Sequence, residues 1–171
     1  MDINKLIQAL PSLNSWIDEY IGQHANSRVR MSEAGFDRLP NYFSPQILEG
    51  AFYVLAPKIE TPPLADFGLG ELSFFERGNY GGITYKDTFF ATSRDESLYF
   101  HEMIHVIQWD ELGPESFLLA YGVGLVQFGY RDSPLEQIAY SMQAQFDAGE
   151  QIEDLEAVVR NRCRTLMQQM G

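Results

Sequence analysis

The stretch that decides the fold runs from residue 95 to residue 112 and reads DESLYFHEMIHVIQWDEL. Ser93 or Asp95 can cap a helix at its start, because a short polar side chain accepts hydrogen bonds from the first free backbone N–H groups. Gly113 and Pro114 follow directly and favour the end of a helix. The sequence therefore predicts one helix over this stretch.

Three residues in the middle of this helix point to a metal site. His101 and His105 lie four positions apart, about 40° around the helix axis, so both imidazoles leave the same face at a spacing that a zinc ion can bridge. Glu102 lies about 100° from His101, beside the metal, where a carboxylate can take a proton from zinc-bound water. The alternative is a pair of histidines on a solvated surface. It is disfavoured because apolar residues surround the motif: Leu98, Met103, Ile104, Val106, Ile107 and Trp109.

A catalytic zinc site needs a third protein ligand and an open fourth position. The only other histidine, His24, lies in a polar stretch, so a carboxylate from a later helix is the better candidate. Glu136 lies in the first turns of a helix that opens with SPLEQIAY, and an intervening helix can bring it back antiparallel to the motif. Glu150 and Glu153 are the next candidates. The prediction is one zinc ion per chain, bound by the two motif histidines and Glu136.

The rest of the chain predicts a single α+β domain over residues 1–171. Pro11 splits the N-terminal region, 2–22, into helices 2–10 and 12–22, with Ser12 as a cap for the second. Between residues 50 and 94, short aromatic and β-branched runs separated by Gly and Pro predict a small antiparallel sheet. The runs are AFYVLA, ELSFFE, GGITY and TFFAT. Lys86-Asp87 can form a hairpin tip between the last two, or that whole segment can be one strand with a bulge.

Helix signals continue from residue 95 to about residue 170. Besides the motif helix, they predict helices over 114–128, 134–148 and 150–170. Residues 114–128 are apolar nearly all round, so this helix is predicted to be the buried one. The expected fold is a small antiparallel sheet followed by a mainly helical bundle.

Composition limits the partners and the location. A net charge of −12 repels phosphate backbones and anionic lipid, so we expect neither nucleic acid nor a membrane surface as a partner. The N-terminus lacks a basic stretch followed by an apolar run, and the longest apolar stretch, Phe117 to Phe128, is shorter than the ~20 residues of a membrane span. We therefore expect a cytoplasmic protein. The single Cys163 excludes an internal disulfide and a cysteine-rich zinc site.

The segment HEMIHVIQW followed by SPLEQIAY resembles the gluzincin branch of zinc metallopeptidases, which carry HExxH on one helix and a glutamate ligand on a later one. It is also similar to small, uncharacterised bacterial metallopeptidase domains with a hairpin, HELxHVxQ and N-P-x-E-x-x-A-Y. The likeness covers about residues 80–145. Ser133 replaces the usual asparagine and Met103 the usual leucine. The resemblance implies a zincin-like bundle, His101, His105 and Glu136 as ligands, and Glu102 as the general base.

Peptide hydrolysis also requires a group that stabilises the oxyanion. Tyr140, one turn after Glu136, is the first candidate, followed by Tyr130 and Arg131, and Gln108 can hydrogen-bond a ligand histidine. A peptide or protein substrate can lie along GGITY or TFFAT as an added strand.

The expected function is a zinc-dependent hydrolase that acts as a metallopeptidase. Two alternatives remain: a zinc-containing, non-catalytic binding or regulatory module, and an interaction domain or effector. The intact Glu102 favours the hydrolase, because a binding module has no need of a base.

Overall fold

The computed structural model describes residues 3–170. Within them the chain forms six α-helices and four short strands, an α+β architecture in which helices dominate. The helices are α1 (Ile3–Gln23), α2 (Pro45–Gly50), α3 (Ser73–Glu76), α4 (Glu96–Phe128), α5 (Pro134–Asp147) and α6 (Leu155–Met170). The strands are β1 (Val29–Arg30), β2 (Phe52–Leu55), β3 (Gly82–Tyr85) and β4 (Thr88–Ala91).

The N-terminal helix is continuous, so the prediction of two helices split at Pro11 is wrong for the described residues. Pro11 lies inside α1, where it removes one backbone donor and leaves the carbonyl of Ile7 without its usual partner. Both residues lie on the exposed face, and Ile7 is 48% exposed. Water can therefore satisfy that carbonyl, while the opposite face of α1 packs into the core. Residue 2, included in the predicted helix, lies outside the described residues.

The sheet is mixed, which corrects the prediction of an antiparallel one. Its strand order is β1-β2-β4-β3, and β2 pairs with β4 in parallel, while the other two pairs are antiparallel. The connection after β2, residues 56–81, crosses to the far edge of the sheet before β3 begins. The tight turn at Lys86 and Asp87, predicted as a hairpin tip, then sends β4 back in the direction of β2.

The run ELSFFE is helical, so its prediction as a strand is wrong. A 3₁₀ turn over Gly70–Leu72 leads into α3. Leu72 and Phe75, three positions apart, are buried, whereas Phe74 is 39% exposed. This spacing of buried residues is that of a helical turn and differs from the period of two in a strand.

Helix α4 lies at the centre of the fold and contains the histidine motif. Asp95 caps it, since its carboxylate accepts a hydrogen bond of 2.8 Å from the backbone of Leu98. At Gly113 the backbone has φ 73° and ψ 164°, a left-handed conformation that glycine adopts readily, and the helix direction changes there. The predicted break before Pro114 is therefore confirmed. Its first half, however, is the more buried part, because residues 99–109 are all buried between the sheet and the other helices.

Helices α5 and α6 pack against α4, and β3 packs against the same helix from the sheet side. The histidine face of α4 is thus enclosed between α5 and the sheet. None of the described helices is both long enough and apolar enough to cross a membrane.

Candidate metal centre

Three side chains from two helices converge at the centre of the protein: His101 and His105 of α4, and Glu136 of α5. One ligand atom from each lies within 4.8 Å of the others, and all three residues are buried. The two Nε2 atoms are 3.1 Å apart. Nε2 of His101 lies 3.3 Å from Oε2 of Glu136, and Nε2 of His105 lies 3.4 Å from Oε1. The structure thus brings together the three predicted ligands.

Hydrogen bonds on the far side of each imidazole fix its tautomer. The Nδ1 atom of His105 lies 2.7 Å from Oε1 of Gln108, and that of His101 lies 3.0 Å from Oε1 of Gln143. Each glutamine amide is oriented by its own NH₂ group: Gln108 donates to the carbonyl of Leu135, and Gln143 donates to Ser97. Because the amide oxygens can only accept, both Nδ1 atoms carry a proton. In the neutral rings, both Nε2 atoms therefore present lone pairs to the centre.

The spacing of these atoms fits a tetrahedral metal ion. In a tetrahedron, two donors are separated by about 1.6 times the bond length, or about 3.3–3.4 Å for bonds of about 2.0–2.1 Å. The separation of 3.1 Å between the two Nε2 atoms and that of 3.3 Å between His101 Nε2 and Glu136 Oε2 are close to this spacing, and His105 Nε2 lies 3.4 Å from the other carboxylate oxygen. The buried Oε2 of Glu136 also receives no hydrogen bond, a costly arrangement unless a cation satisfies it. The residues present fit a metal ion, with two nitrogen donors and one oxygen donor.

Without a cation, the same cluster takes up a proton. Burial lowers the pKa of His105, but the adjacent Glu136 carboxylate outweighs burial and raises this pKa to about 9. Burial likewise raises the pKa of Glu136, but the two imidazoles outweigh it and hold the pKa well below its usual range. The metal-free centre is therefore a buried ion pair, and a metal ion competes with its proton.

Glu136 is positioned by the start of α5 and by the second half of α4. Pro134 occupies the first turn of α5, and Ser133 stands at the N-cap position, although its side chain makes no capping hydrogen bond. Oε1 of Glu136 accepts a hydrogen bond of 2.7 Å from the hydroxyl of Tyr121. Burial, followed by the nearby Glu136 charge, raises the pKa of Tyr121 well above its usual value, so this phenol stays protonated and donates. The bend at Gly113 places Tyr121 where it can reach the carboxylate.

Glu102 is buried on the sheet side of the centre and does not belong to the ligand group. Its Oε2 accepts a hydrogen bond of 2.7 Å from the hydroxyl of Thr84 on β3. The carboxylate lies so close to β3 that a Cβ atom on Gly82 would be 2.4 Å from its Oε1. Burial raises the pKa of Glu102, and the charges of His101 and His105 oppose this rise. The other carboxylate oxygen, Oε1, takes no part in the hydrogen bond with Thr84.

The other predicted residues fall into two groups. Tyr140 lies beside the centre, with its ring centroid 4.6 Å from that of His101, and Arg131 lies over the Tyr140 ring at 5.3 Å. His24, by contrast, hydrogen-bonds the backbone of Tyr20 through its Nδ1 atom and is not part of the ligand group. The remaining alternatives for the third ligand, Glu150 and Glu153, are exposed and outside the group.

Sequence reasoning missed Tyr121, Thr84 and Gln143. Tyr121 follows the break at Gly113, so its position depends on a bend angle that no residue pattern specifies. Thr84 lies on a strand whose four residues are all buried, so no alternation of buried and exposed residues marks the side that faces α4. Gln143 lies seven positions after Glu136, about two helical turns, and this spacing on the same face was the one available signal.

Comparisons with protein-family models, with curated protein sequences and with solved structures found no match for this chain. The likeness of its motifs to gluzincins therefore gains no support from relatives. The structure does show that this α+β protein has a buried His-His-Glu group whose atoms are close enough to bind a metal ion.

Proposed function

We propose that the protein is a zinc-dependent hydrolase that cleaves peptide bonds, with Glu102 as the general base. The observation that carries this proposal is the position of the second carboxylate. Glu102 is buried beside the ligand histidines, is not a ligand itself, and lines the same pocket as His105 and Glu136. A site that only stores or binds a metal has no need for such a group.

Zinc is the metal that best matches two imidazoles and one carboxylate in a tetrahedral arrangement with one position left for substrate. When bound, a zinc ion polarises the substrate carbonyl and lowers the pKa of the attacking water. Glu102 accepts the proton of that water through Oε1, while the Thr84 hydroxyl holds Oε2 in place. Glu102 then returns the proton to the leaving amine.

Tyr140 and Tyr130 are the candidates for stabilising the oxyanion. Tyr140 packs against His101, and Tyr130 lines the pocket that contains Glu102 and Glu136. Burial raises the pKa of both phenols, so each keeps the proton that it donates. Tyr121 is less suited to this role, because its hydroxyl is already committed to Glu136.

The substrate is not expected to pair with β4, because this strand is bonded to β2 on one side and to β3 on the other. The alternative, pairing along β3, is restricted as well. The carbonyl of Thr84 accepts a hydrogen bond of 3.2 Å from the indole of Trp109. A substrate beside Glu102 would therefore pair with the start of β3, at Gly82, which lies next to the Glu102 carboxylate.

A second candidate function, a non-catalytic module that binds zinc, is favoured by the burial of the centre. The side chains of His101 and Glu136 are only 6% and 1% exposed. Structural zinc sites are closed, whereas catalytic sites keep one position open to substrate. An opening movement is therefore needed for turnover, and the binding module needs none.

Two measurements test the proposal. Mass spectrometry of the purified protein should find one zinc ion per chain. The zinc-loaded protein should then cleave members of a diverse peptide library, while the same protein treated with a chelator cleaves none. Zinc binding without any cleavage would favour the binding module, and no metal binding would exclude both candidates.

A further inference from the structure

The metal centre forms one end of a pocket that is otherwise apolar. The space between the lining atoms, together with the opening to solvent, amounts to about 740 Å³. Glu102, His105 and Glu136 are among its lining residues. Among residues 3–170, these three are the only ionisable lining residues apart from tyrosines.

One wall of the pocket is aromatic and belongs to α4. The rings of Trp109 and Phe117 stack with centroids 3.9 Å apart, and those of Phe117 and Tyr121 stack at 5.6 Å. These residues span the bend at Gly113, so the two halves of α4 form one continuous ring surface. Tyr121, at the end of the row, also donates to Glu136. The aromatic wall thus leads directly to the metal centre.

The facing wall belongs to α1 and is aliphatic, formed by Leu6, Leu13 and Ile17. Helix α1 approaches α4 closely, because a Cβ atom on Gly122 would be 2.7 Å from a methyl group of Leu6. The segment before β3 adds further apolar side chains, namely Leu64, Leu69, Leu72 and Phe75. No lysine or arginine lines the pocket in the described part of the chain, so an anionic group would enter without a partner, beside two carboxylates.

We infer that this pocket binds a bulky apolar group of the substrate, attached next to the bond that is cleaved; this inference rests on the proposed function. An apolar group gains free energy from leaving water, whereas an anionic group would lose its hydration without compensation. Two sources share this chemistry: the side chain of an apolar amino acid in a peptide, and the acyl chain of an N-acyl amide.

The pocket itself is tested first on metal-free protein, with benzene, ethylbenzene and butylbenzene as probes and calorimetry as the readout. Each added CH₂ group should tighten binding about fourfold, until the pocket is filled. A matched pair of variants on α1 locates the site. Leu13→Phe fills the pocket and should weaken butylbenzene binding more than tenfold, whereas Leu10→Phe, at a buried position outside the pocket, should not. Leu118→Phe, at a half-buried lining position, is the second filling variant.

Absence of probe binding, or an equal loss in the Leu10 and Leu13 variants, would overturn the inference. The zinc-loaded protein is then given two substrate series: peptides with Gly, Leu, Phe, Asp or Lys next to the cleaved bond, and amides with acetyl or octanoyl chains. Preference for Leu and Phe assigns the pocket to a peptide side chain, and preference for octanoyl assigns it to an acyl chain. Preference for Gly, Asp or Lys overturns the inference but leaves the hydrolase standing. Chain-length-dependent probe binding without any hydrolysis overturns the hydrolase and leaves the apolar ligand site.

Discussion

The two buried glutamates of the centre occupy opposite sides and opposite environments. On the α5 side, Glu136 faces two imidazoles and the hydroxyl of Tyr121, and its pKa is held well below the usual range. On the sheet side, Glu102 lies against the backbone of β3 and receives one hydrogen bond from Thr84, and burial raises its pKa. Two carboxylates in one pocket are thus pushed in opposite directions, which is the pattern expected of groups with different roles.

The difference in pKa between the two glutamates indicates which of them is the metal ligand and which is the general base. A carboxylate with a low pKa stays ionised and suits a metal ion, whereas one with a raised pKa binds and releases a proton more readily. The identity of the residue is the same in both places. The surroundings separate the ligand from the base: the two imidazoles outweigh burial at Glu136, whereas burial outweighs them at Glu102.

The largest effect is expected from Glu102→Gln. The substitution keeps the shape and removes the basicity, so hydrolysis should fall by roughly two to four orders of magnitude while zinc stays bound. Peptide turnover and metal content are measured on the same preparation. Turnover near the wild-type level in a zinc-loaded Glu102→Gln protein would contradict the assignment of Glu102 as the base.

The complementary change on the α5 side is Glu136→Ala. Loss of a direct ligand should cost more than about 100-fold in zinc affinity, since the loss of groups that only support a ligand already costs 10–100-fold. The affinity is measured by competition with a chromophoric chelator, and circular dichroism checks that the fold persists. Unchanged zinc affinity would place the third ligand elsewhere.

A smaller effect is expected from the hydroxyl that supports Glu136. Tyr121→Phe removes only the hydrogen bond to Oε1 and should weaken zinc binding by about 10–100-fold. Tyr140→Phe is the matched control, since Tyr140 lies beside His101 without a hydrogen bond to a ligand. It should leave the affinity within a few-fold of the wild type. An equal loss in both variants would mean that ring packing matters more than the hydrogen bond.

The last test varies only the pH and needs no mutation. Because the pKa of His105 is raised to about 9 in the metal-free protein, zinc has to displace one proton, and its affinity should rise about tenfold per pH unit below that value. The raised pKa also stabilises the metal-free fold. This stabilisation is complete below the unfolded pKa of about 6.5 and is lost as the pH rises through about 9.

Thermal unfolding measured with and without chelator tests this dependence. Between pH 6.5 and 9, the metal-free protein should lose stability while the zinc-loaded protein does not. Parallel pH profiles for the two forms would show that no proton leaves the centre when zinc binds.

The sequence predicted those parts of the centre that follow from spacing along one helix. The position of His101, His105 and Glu102 on α4, the Asp95 cap and the break at Gly113 all rest on local rules, and the structure agrees with them. The parallel pairing of β2 with β4 and the helical state of Ser73–Glu76 depend on how a long connection crosses the sheet. Local propensity does not encode such a path, and both were predicted wrongly.

Glu136 is an intermediate case. Elimination among the carboxylates identified it, because the later helix had to return to the motif and few glutamates were placed to do so. The glutamines that orient the histidines, and the phenol that holds Glu136, depend on the exact rotation of α5 and on the bend in α4. Such contacts between elements are set by packing, and a single sequence does not reveal them.

The close approach of Glu102 to β3 also predicts which positions near the start of this strand tolerate substitution. Gly82 begins this strand and Gly81 directly precedes it, and the two glycines have different surroundings. A methyl group on Gly81 would meet Leu98 at 3.9 Å, an ordinary contact, whereas one on Gly82 would strike the carboxylate of Glu102. In a library that randomises both codons, selection for catalytic activity should accept many residues at 81 and glycine alone at 82. Selection for folding or for zinc retention should accept more residues at position 82. Position 82 should therefore distinguish this selection from the selection for catalytic activity.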